Sequence, residues 1–304
     1  MPPTEPYFPD YLDSSMLSTF KACPEKFYKT YVCDWKPREV SVHLHAGGAF
    51  AKGLEATRRA FYEGSASRED AIAAGLQALI VAYGDFQCPA DSAKSLERMC
   101  GAFEFYWENY ALNHDDAYPV LMPGGKRAIE FSFAHPLPIQ NPATGQPLIY
   151  CGKMDAVLNY GGNVLICDEK TTTALGPTWS RKWDLRGQFI GYCWAAREAG
   201  IRVDGALVRG VAILKTKFDT QQAVIMHADW QLNRWYEELL DQIALMKIYW
   251  QRRRWPHSYD DSCADYGGCA FREICTSQDE QPWLETYFEK RRWNPVEHKE
   301  EVLK

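Results

Sequence analysis

The sequence is poor in several things at once. No apolar stretch in its 304 residues approaches the ~20 residues of a membrane span. The opening MPPTEPYFPDYLDSS has neither the basic nor the apolar segment of a secretory signal. A chain of this kind is expected to remain in the cytoplasm and to have no membrane partner. Internal repeats and low-complexity segments are absent. No G-x-x-x-x-G-K-[ST] loop occurs, which argues against a built-in ATP motor. The seven histidines show no ligand spacing beyond His43 and His45, and these read most simply as a loop feature ahead of Gly47-Gly48. A net charge of -6 gives no general pull on nucleic acid. Only the local runs Arg252–Arg254 and Lys290–Arg292 offer phosphate contacts, and solvated helix ends are the plainer reading of both.

What the chain does contain is a large apolar fraction, 46%, enough for the core of one domain spanning 1–304. Periodicity divides it into a helical part over about 14–120, a core over 128–228, and a C-terminal helix with a cysteine-rich segment over 229–304. Helices are expected at 14–31 (interrupted by Pro24), 48–63, 68–86 behind a Ser67/Asp70 capping box, 92–112, 179–199 ending at Gly200, and 230–253. Strands are expected at 128–133, 148–159, 164–170, 206–214 and 223–228. Helices, then a mixed sheet, then helices again indicate an α/β or α+β class.

The stretch YCGKMDAVLNYGGNVLICDEKTTT carries the chemistry. Alternate strand residues share a face, so Asp168 and Lys170 point one way and Glu169 the other. The turn at Gly161-Gly162 returns Asp155 alongside them. Two carboxylates and an ammonium at one sheet end suit Mg²⁺ or Mn²⁺ and an attacking water. An exposed strand end with ordinary salt bridges accounts for the hairpin equally well. Gln188 and Tyr192, four apart, share a helical face in the following helix.

Gly152-Lys153-Met154-Asp155, Asp168-Glu169-Lys170-Thr171 and Gln188 through Tyr192 resemble the G-x-x-D, D-x-K-T and Q-x-x-x-Y motifs of the RecB-like branch of the PD-(D/E)xK nuclease superfamily. Each motif alone is weak; three in this order and spacing are specific. The resemblance spans about residues 14–276. It implies a restriction-endonuclease-like α/β core, a mixed central sheet flanked by helices, with an added helical, cluster-bearing lobe. It implies a Mg²⁺- or Mn²⁺-dependent DNA nuclease, of the stand-alone exonuclease type, serving phage or bacterial recombination, repair or DNA processing. DNA that is single-stranded or has accessible ends would be its substrate, and recombination or replication proteins its partners, in the bacterial or phage-infected host cytoplasm. Asp155, Asp168 and the backbone carbonyl of Glu169 would hold the metal. Lys170 would position the water, and Gln188 and Tyr192 would fix the lysine or the DNA. Glu130 matches a frequently acidic position. The usual histidine ligand is replaced by Ala51, and Glu55, one helical turn on, is either its substitute or a surface residue paired with Arg58 or Arg59.

Cys263, Cys269 and Cys275 are each separated by five residues, and Cys23 stands alone near the N-terminus. Ten cysteines without a signal sequence suggest a reducing compartment, where clustered thiols bind metal. Thiolate ligands admit tetrahedral zinc or an iron–sulfur cluster. Five-residue spacing is poor for a zinc ribbon. The nuclease resemblance implies a 4Fe–4S cluster held by Cys23, in a Cys-Pro-x-x-Phe context, and by the three late cysteines, although the family commonly has two residues between the first pair of the tail. The remaining cysteines read as packing residues. Two readings from other classes stand beside the nuclease: a non-catalytic DNA-binding or scaffold subunit that keeps the fold, and a zinc-stabilised structural protein.

Overall fold

The computed structural model describes residues 6–112, 117–122, 124–259, 261–264, 268–296 and the backbone of 302–303. Along the chain come β1 (Tyr11–Leu12), α1 (Ser14–Ala22), α2 (Pro24–Phe27) running into a π-turn at Tyr28–Val32, β2 (Trp35–Pro37), α3 (Val42–Tyr62), α4 (Arg68–Tyr83) and α5 (Leu96–Asn109). There follow β3 (Tyr118–Pro119), β4 (Ile129–Gln140), β5 (Pro147–Tyr160), β6 (Asn163–Thr172), α6 (Pro177–Arg181), α7 (Gly187–Glu198), β7 (Gly205–Ile213) and β8 (Phe218–Met226). Last are α8 (Asp229–Arg252), α9 (Arg272–Thr276), α10 (Gln281–Tyr287), β9 (Phe288–Lys290) and β10 (Val302–Leu303). The strand order is β10-β4-β5-β6-β7-β8, and strands β4 and β5 pass through both of the compact units into which the chain divides.

One unit comprises residues 40–132 and 153–232. In it β5 and β6 are antiparallel, β6 and β7 parallel, and β7 and β8 antiparallel, a mixed sheet. The parallel step is bridged by α6 and α7, as a parallel pair requires a crossover. Every residue of β7 is buried, the pattern of a strand covered on both faces. Its alternation divides the helices: Val211 and Ile213 pack with Phe50, Leu54 and Phe103 of α3 and α5, while Ala206 and Val208 pack with Trp179, Trp183 and Phe189 around α6 and α7. The helix expected over 179–199 is broken at 182–186, and Trp179 and Trp183, on either side of the start of the break, both lie in that second core.

The other unit gathers residues 1–39, 133–152 and 233–304, so the two ends of the chain meet in it. Strands β2 and β9 pair antiparallel. Lys29 lies between Glu25 at 3.0 Å and Glu280 at 2.5 Å, and Arg292 reaches the buried Asp34 at 3.3 Å. Trp255 stacks on Tyr28 and packs against Phe20 and Phe27.

Helices α3 and α4 meet at two glycines. A Cβ on Gly75 would fall 1.9 Å from Thr57 Oγ1 and 2.6 Å from the Gly53 carbonyl oxygen. Intrinsic propensity favours alanine in a helix by about 1 kcal/mol, whereas overpacking costs about 1–3 kcal/mol. Gly75→Ala is therefore expected to lower the melting temperature, followed by circular dichroism. A melting temperature equal to or above that of the parent would show that the two helices can part freely.

Candidate active site

Gly161 and Gly162 both have positive φ, 54° and 81°, which a two-residue hairpin turn of matching twist requires. The turn sets the register of β5 on β6: Tyr160 opposes Asn163 and Ala156 opposes Cys167. One step further, Asp155 lies beside Asp168. Asp155 Oδ2 accepts a hydrogen bond from the Glu169 N–H at 2.9 Å. Asp168 Oδ2 is ion-paired with Lys170 Nζ at 2.6 Å without hydrogen-bonding geometry. Gln188, in the first turn of α7, donates through Nε2 to Asp168 Oδ1 at 3.4 Å and to Tyr192 Oη at 3.5 Å. Asp168, Lys170, Gln188 and Tyr192 thus form one connected group, which Asp155 joins through the Glu169 N–H.

The electrostatics are those of crowded acids. Burial, then Asp168, Glu169 and Glu130, push the Asp155 carboxyl well above the usual range. Burial also raises Asp168, against the pull of Lys170. Lys170 is held charged because Asp168 and Asp155 outweigh its desolvation. A cation is the natural neutraliser of such a set, and oxygen ligands of this hardness suit Mg²⁺ or Mn²⁺. Among the described residues no group of three or more His, Cys, Asp or Glu side chains is placed to hold a metal ion. Asp155 and Asp168 are two; further ligands would come from a backbone oxygen, water or substrate.

Glu130 sits in a left-handed backbone conformation, φ 53°, and its carboxylate pairs with Lys153. Its influence on Asp155 places it near the group, without a hydrogen bond to it. Glu55 is engaged by Lys52 at 2.9 Å and by Arg59 at 3.2 Å on its own helix.

The sequence leaves the Glu169 side chain without a task; the structure gives it one. It meets Arg58 of α3 in a two-pronged ion pair, with the side chains only 3% and 4% exposed. Tyr106 Oη and Cys167 Sγ each donate to Glu169 Oε1, both at 3.1 Å. Lys94 is a second buried charge not foreseen. It is 2% exposed, donates to Thr171 Oγ1 at 2.8 Å, and burial pushes its pKa down to about 8. No local pattern announces either, since their partners are 111 and 77 residues away.

In the other unit, Cys23, Cys263, Cys269 and Cys275 all line one cavity of about 310 Å³, with Lys26, Lys29, His257 and Tyr259. Cys23 Sγ accepts from the Lys26 N–H at 3.5 Å, and Cys263 Sγ donates to the Ser258 carbonyl at 3.6 Å. The Cys275 thiol is pushed up to about 11, by burial first and then by Cys269 and Cys23 among its neighbours. All ten cysteines are free thiols. Cys151, Cys167 and Cys193 are buried.

Burial would raise the Glu169 carboxyl, but Arg58 outweighs it and holds the pKa near 2. The folded-state pKa is depressed, so the pair stabilises the fold above the ordinary glutamate range and is lost as pH falls toward 2. Removing one partner of a buried pair costs about 3–5 kcal/mol. Glu169→Ala is expected to lose that much in urea unfolding, and Arg58→Met with Glu169→Met to recover most of it. The deficit of Glu169→Ala should shrink as pH falls from about 5 toward about 2. A loss below about 1 kcal/mol in the single variant would show that the pair is not needed.

No curated protein matches the chain. Among solved structures, a Eubacterium rectale protein with an inferred exonuclease assignment aligns at 14% identity, covering 84% of this chain and 86% of its own, with a TM-score of 0.48. The protein SSO0001 aligns at 16% identity over 64% of this chain and 74% of its own, with a TM-score of 0.27. The family model described as the PD-(D/E)XK nuclease superfamily matches residues 14–276, and the chain belongs to that superfamily.

Proposed function

We propose that the protein is a metal-dependent DNA nuclease, acting as an exonuclease of the RecB-like type in bacterial or phage DNA recombination, repair or processing. The observation that carries this reading is the connected group of Asp155, Asp168, Lys170, Gln188 and Tyr192 on one face of the β5–β6 sheet end.

Asp155 and Asp168 would hold a Mg²⁺ or Mn²⁺ ion, with the Glu169 carbonyl as a further ligand, and Glu130 and Glu55 as outlying candidates. The bound ion would supply Lewis acidity toward a phosphate oxygen and an acidified water. The chain's own residues do the rest. Lys170, a charged ammonium, orients the water for in-line attack and offsets charge developing on the phosphate. Gln188 steadies Asp168 and links it to Tyr192, so the helix α7 fixes the acid from outside the sheet. The buried Arg58–Glu169 pair anchors the backbone that carries Asp168 and Lys170.

The four thiols are read as ligands of a 4Fe–4S cluster. Support comes from their placement around one cavity and from the thiolate chemistry that such a cluster requires.

Asp168→Ala and Lys170→Ala are each expected to abolish cleavage of end-labelled DNA in Mg²⁺ or Mn²⁺ while leaving the circular dichroism spectrum unchanged. Normal rates in either variant would overturn the site. Protein purified without oxygen is expected to be brown and to contain iron and sulfide. Cys269→Ala should lose both the colour and much of the solubility. Stoichiometric zinc without iron or sulfide would replace the cluster by a structural zinc.

A further inference from the structure

The break between α6 and α7 leaves a turn, Arg181–Arg186, with an unusual surface for a protein of net charge -6. Its base is rigid. Trp179 and Trp183 are buried with Phe189, Ala206 and Val208. Gly210 admits the Trp179 ring, since a Cβ there would lie 2.4 Å from it, and Gly210 is the register partner of Lys170. Gln221 brackets the start of α6, accepting from the Gly176 N–H at 2.8 Å and donating to Ser180 Oγ at 2.5 Å. The segment is thus anchored beside the strand that bears the lysine of the site.

From this base Arg181, Lys182, Leu185 and Arg186 project outward, and Leu185 is 81% exposed. Among the described residues none of the three cations pairs with a carboxylate, Asp184 included. Lys182 is held over the Trp183 ring at 4.4 Å. The charges crowd one another: desolvation, then Arg186 and Lys170, push Lys182 downward, and the field of Arg186 reaches Asp168. Like charges gathered on an anchored turn are relieved by a polyanion.

We infer that the turn Arg181–Arg186 grips a single-stranded DNA end, with Arg181, Lys182 and Arg186 on phosphates flanking the scissile one and Leu185 against an unstacked base. This rests on the nuclease reading and names the form of its substrate. Phosphates alone would be served equally by duplex. A leucine between the cations can pack on an unstacked base of a single strand directly, whereas in duplex it would first have to part a base step at a cost of a few kcal/mol.

The test is fluorescence anisotropy of labelled single-stranded and blunt duplex DNA in EDTA, so that no cleavage intervenes, across a salt series. The side chains are exposed, and circular dichroism confirms folding of each variant. Lys182→Gln with Arg186→Gln is expected to weaken single-strand binding about tenfold at low salt and to reduce the log–log salt slope by about 1.4, from ~0.7 per contact. Leu185→Ala should weaken single-strand binding about fivefold and leave duplex binding unchanged. Wild-type affinity and slope in the variants, or duplex bound as tightly as single strand by the parent, would overturn the inference. A parent that cleaves and binds DNA while the variants match it overturns this inference alone. A parent that neither binds nor cleaves overturns the nuclease reading with it.

Discussion

A strand sends consecutive side chains to opposite faces, and most of what is particular to this protein follows from placing Asp168, Glu169 and Lys170 in succession on one. Three charges on a strand inside a sheet cannot all reach water. On one face Asp168 and Lys170 compensate each other and, through the register set by Gly161-Gly162, meet Asp155. The partial compensation there is what makes the face useful: crowded carboxylates favour a cation, and the ammonium remains charged beside them. On the opposite face Glu169 has no such outlet. It is neutralised by Arg58, with Tyr106 and Cys167 filling its remaining hydrogen-bonding capacity.

This second face ties the helices to the chemistry. Arg58 comes from α3 and Tyr106 from α5, so the buried pair can form only when both helices lie on the sheet. Helix α3 is in turn seated on α4 through the close contact of Gly53 and Gly75. A small residue on one helix, a buried ion pair and the backbone of β6 are therefore successive links of one support. On the other side of the sheet α7 carries Gln188 to Asp168 with Tyr192 behind it, and Trp179 and Trp183 pack against β7 beside them.

Much of this was legible in the sequence where the signal is local. The glycine pair marked the hairpin, the Ser67/Asp70 box marked the start of α4, and period-2 alternation assigned Asp168 and Lys170 to one face. Elements whose signals conflict were misjudged. The strand expected over 128–133 continues to Gln140 through Pro136 and Pro138; beyond it in the sheet lies only the two-residue β10, so few of its N–H groups are needed for pairing on that side. The helix expected over 179–199 is two helices, α6 and α7, with a turn at 182–186 between them. Phe218–Gln222 is too polar to read as a strand, and it is held by pairing with β7. Charges paired across long separations, such as Arg58 with Glu169 and Lys94 with Thr171, leave no mark in any window of sequence. The four cysteines were readable as a set only through family resemblance, and the structure brings all four to one cavity.

In the proposed function, the Asp155–Asp168–Lys170 face hydrolyses phosphodiesters with a divalent cation. The most direct measurement is digestion of end-labelled linear DNA and of circular DNA, with Mg²⁺, Mn²⁺ or EDTA, by the intact protein. Mononucleotides or short oligonucleotides are expected from linear DNA with either metal, nothing with EDTA, and circles left closed. Linear DNA left intact with both metals, or cut equally well in EDTA, would contradict the proposed function.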